Sequence, residues 1–414
     1  MRKLTAILLS FALAGFIFWS CSDENSPSAP VNRIPVIENI VANPAPVKQG
    51  GSSRVTCIAS DADGDELIYS WYSSGGTIIG EGSLIEWSAP NTIGKCTISV
   101  IVSDGSNEAV QSIFISVREP FDPGEMVLIP GGTYFRGDHF AEGYSFERPI
   151  HEVTVDSFFV GKNLIRQGEW ADLIGRNPSY GYQTGDDYPV YNISWYYAIK
   201  YCNLRSILEG FDPVYSIDNS TDPEEWGIVP ANLNHSWNDV ICDFSKNGYR
   251  LLTEAEWEYA ARGGLNGQRF PDGLTISHSS NGDTRANYNS LWLSGEPIHS
   301  YDISPTEGLH PDHRGLSPVG SFPPNGYGLN DMAGGLWELT WDWWNTYTED
   351  AQVNPTGPLN PIVKSRVRRG GSWQSEPLNC RVSSRYLDPP YHTSYDIGFR
   401  IARTNAHNSQ NIGN

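Results

Sequence analysis

The sequence predicts a multidomain chain: an all-β sandwich at residues 34–118, then a larger α+β domain at 122–404 with sparse regular secondary structure. Three observations carry this. Between Pro35 and Val117, short apolar/polar alternations are separated by turn signals, the pattern of strands buried on one face. The 414 residues include 41 Gly, 28 Pro, 14 Trp and 21 Tyr, which favours turns and rigid aromatic packing over long helices. The stretch 326–344, GYGLNDMAGGLWELTWDWW, and its companion RRGGSW at 368–373 interleave glycines with leucines and indoles. That mixture suits neither a long helix nor an exposed loop, so it reads as irregular backbone inside a core. Its unpaired N–H and C=O groups need a turn lattice, acids or a cation as partners. Asp331, Glu338 and Asp342 supply the acids.

Charge narrows the partners. With 28 basic against 48 acidic residues the formal charge is -20, which repels phosphate backbones, so no nucleic-acid partner is expected. At the N-terminus, Arg2 and Lys3 precede an apolar run from Leu4 to Trp19, then Ser20 and Cys21. The run is short for a membrane span and fits an export signal at 1–20. Cys21 followed by SDENSPSAP resembles the lipobox of bacterial lipoproteins, although Phe18 and Trp19 stand where Leu and a small residue are usual. The expectation is lipidation at Cys21, with a plain secretory signal as the alternative. Residues 21–33 then form a polar tether, and the protein works in the bacterial cell envelope as an outer-membrane or surface lipoprotein. The tail 405–414 is expected to be disordered.

The sandwich strands are read at 52–60, 66–73, 83–90, 96–104 and 109–117, separated by turns such as DADGDE (61–66) and SSGG (73–76). Cys57, Trp71 and Cys96 follow the Cys, Trp, Cys order of immunoglobulin-like domains, and the segment resembles the Ig-like and PKD-like modules of bacterial surface proteins. A Cys57–Cys96 disulfide packed on the indole is the expectation, with two reduced core cysteines as the alternative. Asp61, Asp63 and Asp65 are candidate Ca²⁺ ligands, yet a solvated Asp-Gly turn explains them equally well.

After a Pro-stiffened boundary at 118–125, MVLIPGGTYFRGD (126–138) reads as a strand closed by a Gly-Gly turn, and 151–165 as another strand. Helices are predicted at 193–210, capped by Ser194 and stopped by Gly210, and at 253–264, where Thr253 and Glu256 form a capping box. Between them, 211–249 reads as loop.

YRLLTEAEWEYAARGG (249–264), GYGLNDMAGGLWELT (326–340), RRGGSW (368–373) and GFRIAR (398–403), with 126–138 and 189–202, resemble the formylglycine-generating enzyme or sulfatase-modifying factor family. The resemblance covers 122–404. It implies a compact domain related in fold to C-type lectin-like domains and held together partly by calcium. Its enzymes oxidise a sulfatase cysteine with O₂ and copper held by two cysteines, soft thiolates that select Cu(I). The first of these thiolates falls three residues after the Ser of the GGS motif, where this chain has Ser375 after Ser372. Cys380, the thiol nearby, aligns better with the residue before the family's final Arg-x-x-x-Arg, here Arg381 and Arg385, so copper is not expected. Related sulfoxide synthases use a three-histidine iron site on an attached helical bundle absent here. His139, His151, His235, His278, His299, His310, His313, His392 and His407 include no H-x-x-x-H pair.

The resemblance further implies a structural calcium at Asp331, Gly334, Leu336 and Glu338, and a second beginning at Asn287 and Tyr288, with Asp302 as its acid. Arg369, Ser372, Trp373, Ser375, Cys380, Arg381 and Arg385 are the candidates for a groove that accepts an extended peptide. For the arginines, buried bridges to Glu254, Glu256 or Glu258 are the alternative. Trp337, Trp341 and Trp343 read as core, and Cys202 and Cys242 as a conceivable bridge. Two functions follow. One is a non-catalytic, calcium-binding surface lipoprotein that binds a peptide, glycan or envelope protein. The alternative is an oxidoreductase acting on a protein cysteine.

Overall fold

The computed structural model describes residues 32–43, 47–118, 124–271, 273–274, 276, 286–287 and 315–405. The export segment with Cys21, Tyr288, Asp302, His278, His299, His310, His313, His407 and the tail from 406 lie outside the described residues.

The N-terminal unit contains β1 (Val36–Asn43), β2 (Val47–Lys48), β3 (Ser52–Ser60), β4 (Ile68–Ser73), β5 (Thr77–Ile79), β6 (Leu84–Ser88), β7 (Gly94–Ser103) and β8 (Glu108–Arg118). They build two four-stranded sheets, ordered β1-β3-β6-β5 and β2-β8-β7-β4. Sequence alternation becomes burial alternation. Cys96, Ile98, Val100 and Val102 of β7 face Val55, Cys57, Ile85 and Trp87 of the other sheet in one apolar cluster. The β7–β8 hairpin runs in unbroken register from Gly94↔Val117 to Ser103↔Glu108. Asp104 closes it by accepting from the N–H groups of Ser106 and Asn107.

Two expectations need correction here. Cys57 and Cys96 are separate buried thiols, not a disulfide. Cys96 pairs with Ile115 and packs by Gly75, whereas Cys57 is within electrostatic reach of Tyr69, which pairs with Val102. Val102 lies six residues beyond Cys96 on β7, about 20 Å along the strand, and a bridge needs Cα atoms within about 7 Å. The central indole is also Trp87 rather than Trp71. Trp87 is fully buried and donates to the Gly75 carbonyl at 2.9 Å, while Trp71 on edge strand β4 is half-buried. Gly76 makes room for Trp87, because a Cβ there would lie 2.8 Å from its Nε1. In the DADGD turn, the Asp61 Oδ1 accepts from the N–H groups of Asp63 and Asp65, and Asp63 pairs with Arg33 at 2.8 Å.

The second unit contains β9 (Met126–Ile129), β10 (Gly132–Arg136), β11 (His151–Val155), β12 (Phe158–Gly161), α1 (Gln167–Ile174), α2 (Trp195–Glu209), β13 (Tyr215–Ser216), α3 (His235–Asn238), β14 (Ile241–Cys242) and β15 (Tyr249–Leu251). Then come α4 (Glu254–Ala261), β16 (Trp337–Trp343), β17 (Gln352–Val353), β18 (Arg366–Arg369), β19 (Arg385–Asp388), β20 (Ile397–Gly398) and β21 (Ile401–Thr404). Small sheets, ordered β15-β21-β12-β9, β19-β18-β16-β20 and β10-β11-β17, surround α2 and α4. The helix caps are as the sequence predicts. The Ser194 hydroxyl accepts from Tyr197 N–H, Gly210 is left-handed at φ 77, and Thr253 and Glu256 form the reciprocal box.

Two elements differ from expectation. The strand read at 151–165 breaks at Asp156, whose N–H is taken by the Asn354 side chain at 2.8 Å, and its halves join different sheets. The stretch 326–344 is irregular only as far as Leu336. Trp337–Trp343 is a strand between β18 and β20, with the indole of Trp337 in the core.

Candidate functional site

β18 runs into Gly370 and Gly371, both left-handed at φ 91 and 74. Gly371 has no alternative, since a Cβ there would lie 2.7 Å from Cys380 Sγ and 2.9 Å from the Asn379 carbonyl oxygen. The chain then folds back on itself. Ser375 N–H donates to the Ser372 carbonyl at 2.8 Å, Ser372 N–H donates to Ser375 Oγ at 2.9 Å, and the two hydroxyls lie 3.1 Å apart. Ser372 Oγ continues to Asp396 Oδ2 at 3.3 Å, and Ser394 Oγ donates to Asp396 Oδ1 at 2.5 Å. Ser372 and Ser375 are thus buried parts of one hydroxyl–carboxylate chain. Trp373 stands beside it with its ring centroid 5.0 Å from Tyr182 and 6.1 Å from Tyr395. Those tyrosines are 39% and 38% exposed, so the outward face here is aromatic.

Cys380 does not join this edge as a ligand. It is fully buried with Phe270, Ile276, Ala286 and Ala333, and burial pushes its thiol up to about 12. Cys202 and Cys242 are likewise free thiols pushed up by burial.

The arginines expected along a groove are instead buried, which corrects that reading. Arg385 donates to Glu254 at 2.7 Å and to the carbonyls of Asn345 and Phe146. Arg369 donates to Glu258 and to the carbonyls of Ser383 and Ser384. Arg381 donates to Glu147 and Ser383 Oγ, with Asp138 3.5 Å away. Arg136 and Arg262 complete the network on Glu254 and Glu258, each at 2.7 Å. Burial alone would raise Glu254, yet Arg136, Arg385 and Arg369 hold it down at about 2, and Glu258 is lowered in the same way by Arg262 and Arg369. The guanidinium forks therefore tie α4 to β10, β18 and β19.

The residues expected as calcium ligands divide. Glu338 accepts from Arg400 Nε at 2.6 Å and Nη2 at 2.7 Å and from Trp257 Nε1 at 2.8 Å. It is the buried counter-ion of Arg400, a role the resemblance did not imply, and both its oxygens are engaged. Asp331 fits a cation better. Its backbone is left-handed at φ 57, Oδ2 accepts from Gly320 N–H at 2.6 Å, and Oδ1 is buried with no hydrogen-bond partner. Burial pushes its carboxyl up to about 6. Beside it is a cavity of about 20 Å³ bordered by Asn287, Gly335 and Leu336, space on the order of one water molecule. Gly334 is pressed onto Asn287, where a Cβ would meet its carbonyl oxygen at 2.1 Å, and Asn287 Nδ2 donates to the Gly315 carbonyl. Among the described residues no three His, Cys, Asp or Glu side chains converge as a metal cluster. Any cation at Asp331 would rely on backbone carbonyls for most of its ligands.

Sequence reasoning missed Tyr182, Tyr395, Asp396 and Arg136. The first two carry no motif of their own and reach Trp373 only through folding, whereas Asp396 directly precedes the β20 strand and stands two residues before the GFRIAR motif.

Small sheets around two capped helices, glycine-stabilised irregular backbone and a buried arginine–glutamate network define one domain class. The sulfatase-modifying factor enzyme 1-like domain matches residues 115–405, and the chain belongs to that family. It is 34% identical over 282 residues to the chaperone protein LppX of Paenibacillus barcinonensis, covering 68% of this chain and 89% of the relative. It is 29% identical over 373 residues to the formylglycine-generating enzyme of Bos taurus, covering 81% of this chain and 91% of the relative. Among solved structures, Treponema denticola variable protein 1 superposes with a TM-score of 0.56 at 26% identity, over 74% of this chain and 99% of that one. Its relatives thus include one named as an enzyme and one named as a chaperone.

Proposed function

We propose that this chain is a calcium-binding surface lipoprotein of the bacterial envelope that acts by binding or scaffolding, not by the copper chemistry of the family's oxidases. The observation that carries the reading is Ser375. It stands where those enzymes have their first thiolate, and its hydroxyl is tied to Ser372 while Cys380 is packed in an apolar cluster. A hydroxyl has neither the softness nor the acidity to replace a thiolate on Cu(I). The aromatic face of Tyr182, Trp373 and Tyr395 is the binding edge in this reading, suited to an extended peptide or a glycan. A calcium ion would be held by Asp331 Oδ1 with carbonyls of Gly334 and Leu336, neutralising a buried carboxylate. The N-terminal sandwich serves as an Ig-like spacer above a lipid anchor on Cys21.

The deciding experiment offers a Cys-x-Pro-x-Arg peptide to the copper-supplemented protein under reducing conditions and reads the thiol-to-aldehyde mass change. No conversion is expected. Copper-dependent conversion abolished by Cys380→Ala would reverse the reading in favour of an oxidoreductase.

A further inference from the structure

The N-terminal sandwich leaves one of its edges undefended. An edge strand presents a row of N–H and C=O groups that another chain can pair with, and folded proteins blunt such edges by shortness, bulges, proline or charge. The two sheets end in β1, β5, β2 and β4. Strand β2 has two residues and β5 has three. Strand β1 carries Glu38 and a register shift between Ile37 and Asn39. Strand β4 has none of these devices: its six residues, IYSWYS, contain no charge and no proline, and its register against β7 runs without a bulge from Ile68↔Ser103 to Ser73↔Ile98.

The outer side of β4 is also open. Ser74 N–H donates to the Thr97 carbonyl at 3.0 Å. Alternate residues of an antiparallel pair bond to each other, so Ile68, Ser70 and Tyr72 bond to β7, and the N–H and C=O groups of Tyr69 and Trp71 point away from it. Among the described residues none bonds to those groups. The strand is complementary to itself. Laid antiparallel on a second copy with Ser70 on the two-fold axis, Tyr69 meets Trp71 in a hydrogen-bonded pair and Ile68 meets Tyr72 on the outer face. Those two side chains are 59% and 57% exposed. Ile101 pairs with Ser70 on one side and with Val110, 64% exposed, on the other, so the apolar strip continues outward from the axis. Charge agrees with this register. Two copies of a chain with a formal charge of -20 repel, yet the residues that meet are neutral, and the antiparallel arrangement sends the acidic turns at 61–66 to opposite ends of the joined strands.

We propose that β4 docks a second copy of this chain, the two sheets joining through antiparallel β4 strands into one continuous sheet. The contact is isologous, so it closes at two copies, and it does not depend on the function proposed above. Analytical ultracentrifugation of the full chain tests it. A reversible monomer–dimer equilibrium is expected, because one short strand with a narrow apolar strip is a small interface. Ser70→Lys, at an exposed position, places two ammonium groups at the axis and should weaken association at least tenfold, with Tm unchanged at concentrations where the chain is monomeric. Ser70→Cys reads the register directly. A non-hydrogen-bonded pair brings its Cβ atoms to about 4.5–5.5 Å, so mild oxidation should link two chains through position 70, while Tyr72→Cys and Val110→Cys should stay unlinked. A chain that is monomeric at every concentration, a dimer undiminished in Ser70→Lys, linkage at positions 72 or 110 equal to that at 70, or a monomer that captures only an unrelated extended peptide would overturn the proposal.

Discussion

Arg400 and Glu338 illustrate how a single pair can dominate its neighbourhood. Arg400 is fully buried, and besides Glu338 it donates to the carbonyls of Gly161, Lys162 and Asn330. Glu338→Ala leaves that cation unanswered, so urea unfolding should show a loss of about 3–5 kcal/mol. Glu338→Leu combined with Arg400→Met should cost markedly less than Glu338→Ala alone, because no charge is then stranded. Asp342 gives a pH signature. Its folded-state value is raised from the ordinary carboxylate range to about 7 by burial and by Glu254. The folded state therefore holds a proton that the unfolded state has released, and stability falls as pH rises from about 4 towards 7. Asp342→Asn keeps an acceptor for Glu254 N–H and removes the proton, so unfolding at pH 5 and pH 8 should reveal a flatter profile in the variant. An unchanged slope would assign the pH dependence elsewhere.

At the scale of elements, the caps are the parts whose cost is most easily read. Thr253→Ala deletes the side-chain acceptor of Glu256 N–H at 3.1 Å and should cost about 1 kcal/mol in chemical denaturation. Legibility in the sequence follows the same locality. The cap at Ser194, the box at Thr253 and the alternation of β7 and β8 were readable because each depends on residues within a turn or one strand. Three things were not readable for the opposite reason. The break at Asp156 comes from Asn354, almost two hundred residues away. The burial of Trp87 over Trp71 is set by which strand lies at a sheet edge. The arginines on β18 and β19 were recognised as important, but whether they faced a groove or Glu254 and Glu258 depended on where α4 packs. Glu338, expected with Asp331 as a calcium ligand, lies on Arg400, a residue from another motif and 62 positions away.

For the whole molecule, the free thiols give a clear assay. With Cys57 and Cys96 at different levels of the sandwich, unfolding without reductant should expose both to alkylation, and reductant should not shift the unfolding midpoint. A Cys57–Cys96 peptide adduct in a non-reducing digest would contradict the geometry. Attachment is tested at the other end of the chain. Cys21→Ser should move the protein from the membrane to the soluble fraction if a diacylated N-terminus anchors it.

The sandwich also has a mechanical polarity. The chain enters at Val36, which pairs with Ser60, and β1 runs its full eight residues to Asn43, which pairs with Arg54. It leaves at Arg118, whose neighbour in the sheet is Lys48, shortly after the far end of β1. Entry and exit are therefore separated by the length of a strand, about 26 Å. Tension between them runs along β1 and must shear its rungs against β3 together, where a hairpin pulled from one end would open them one at a time. Arg33, clamped on Asp63 ahead of Val36, adds a latch at the point where such a load arrives. Pulled from its two ends, the module would resist as a strut.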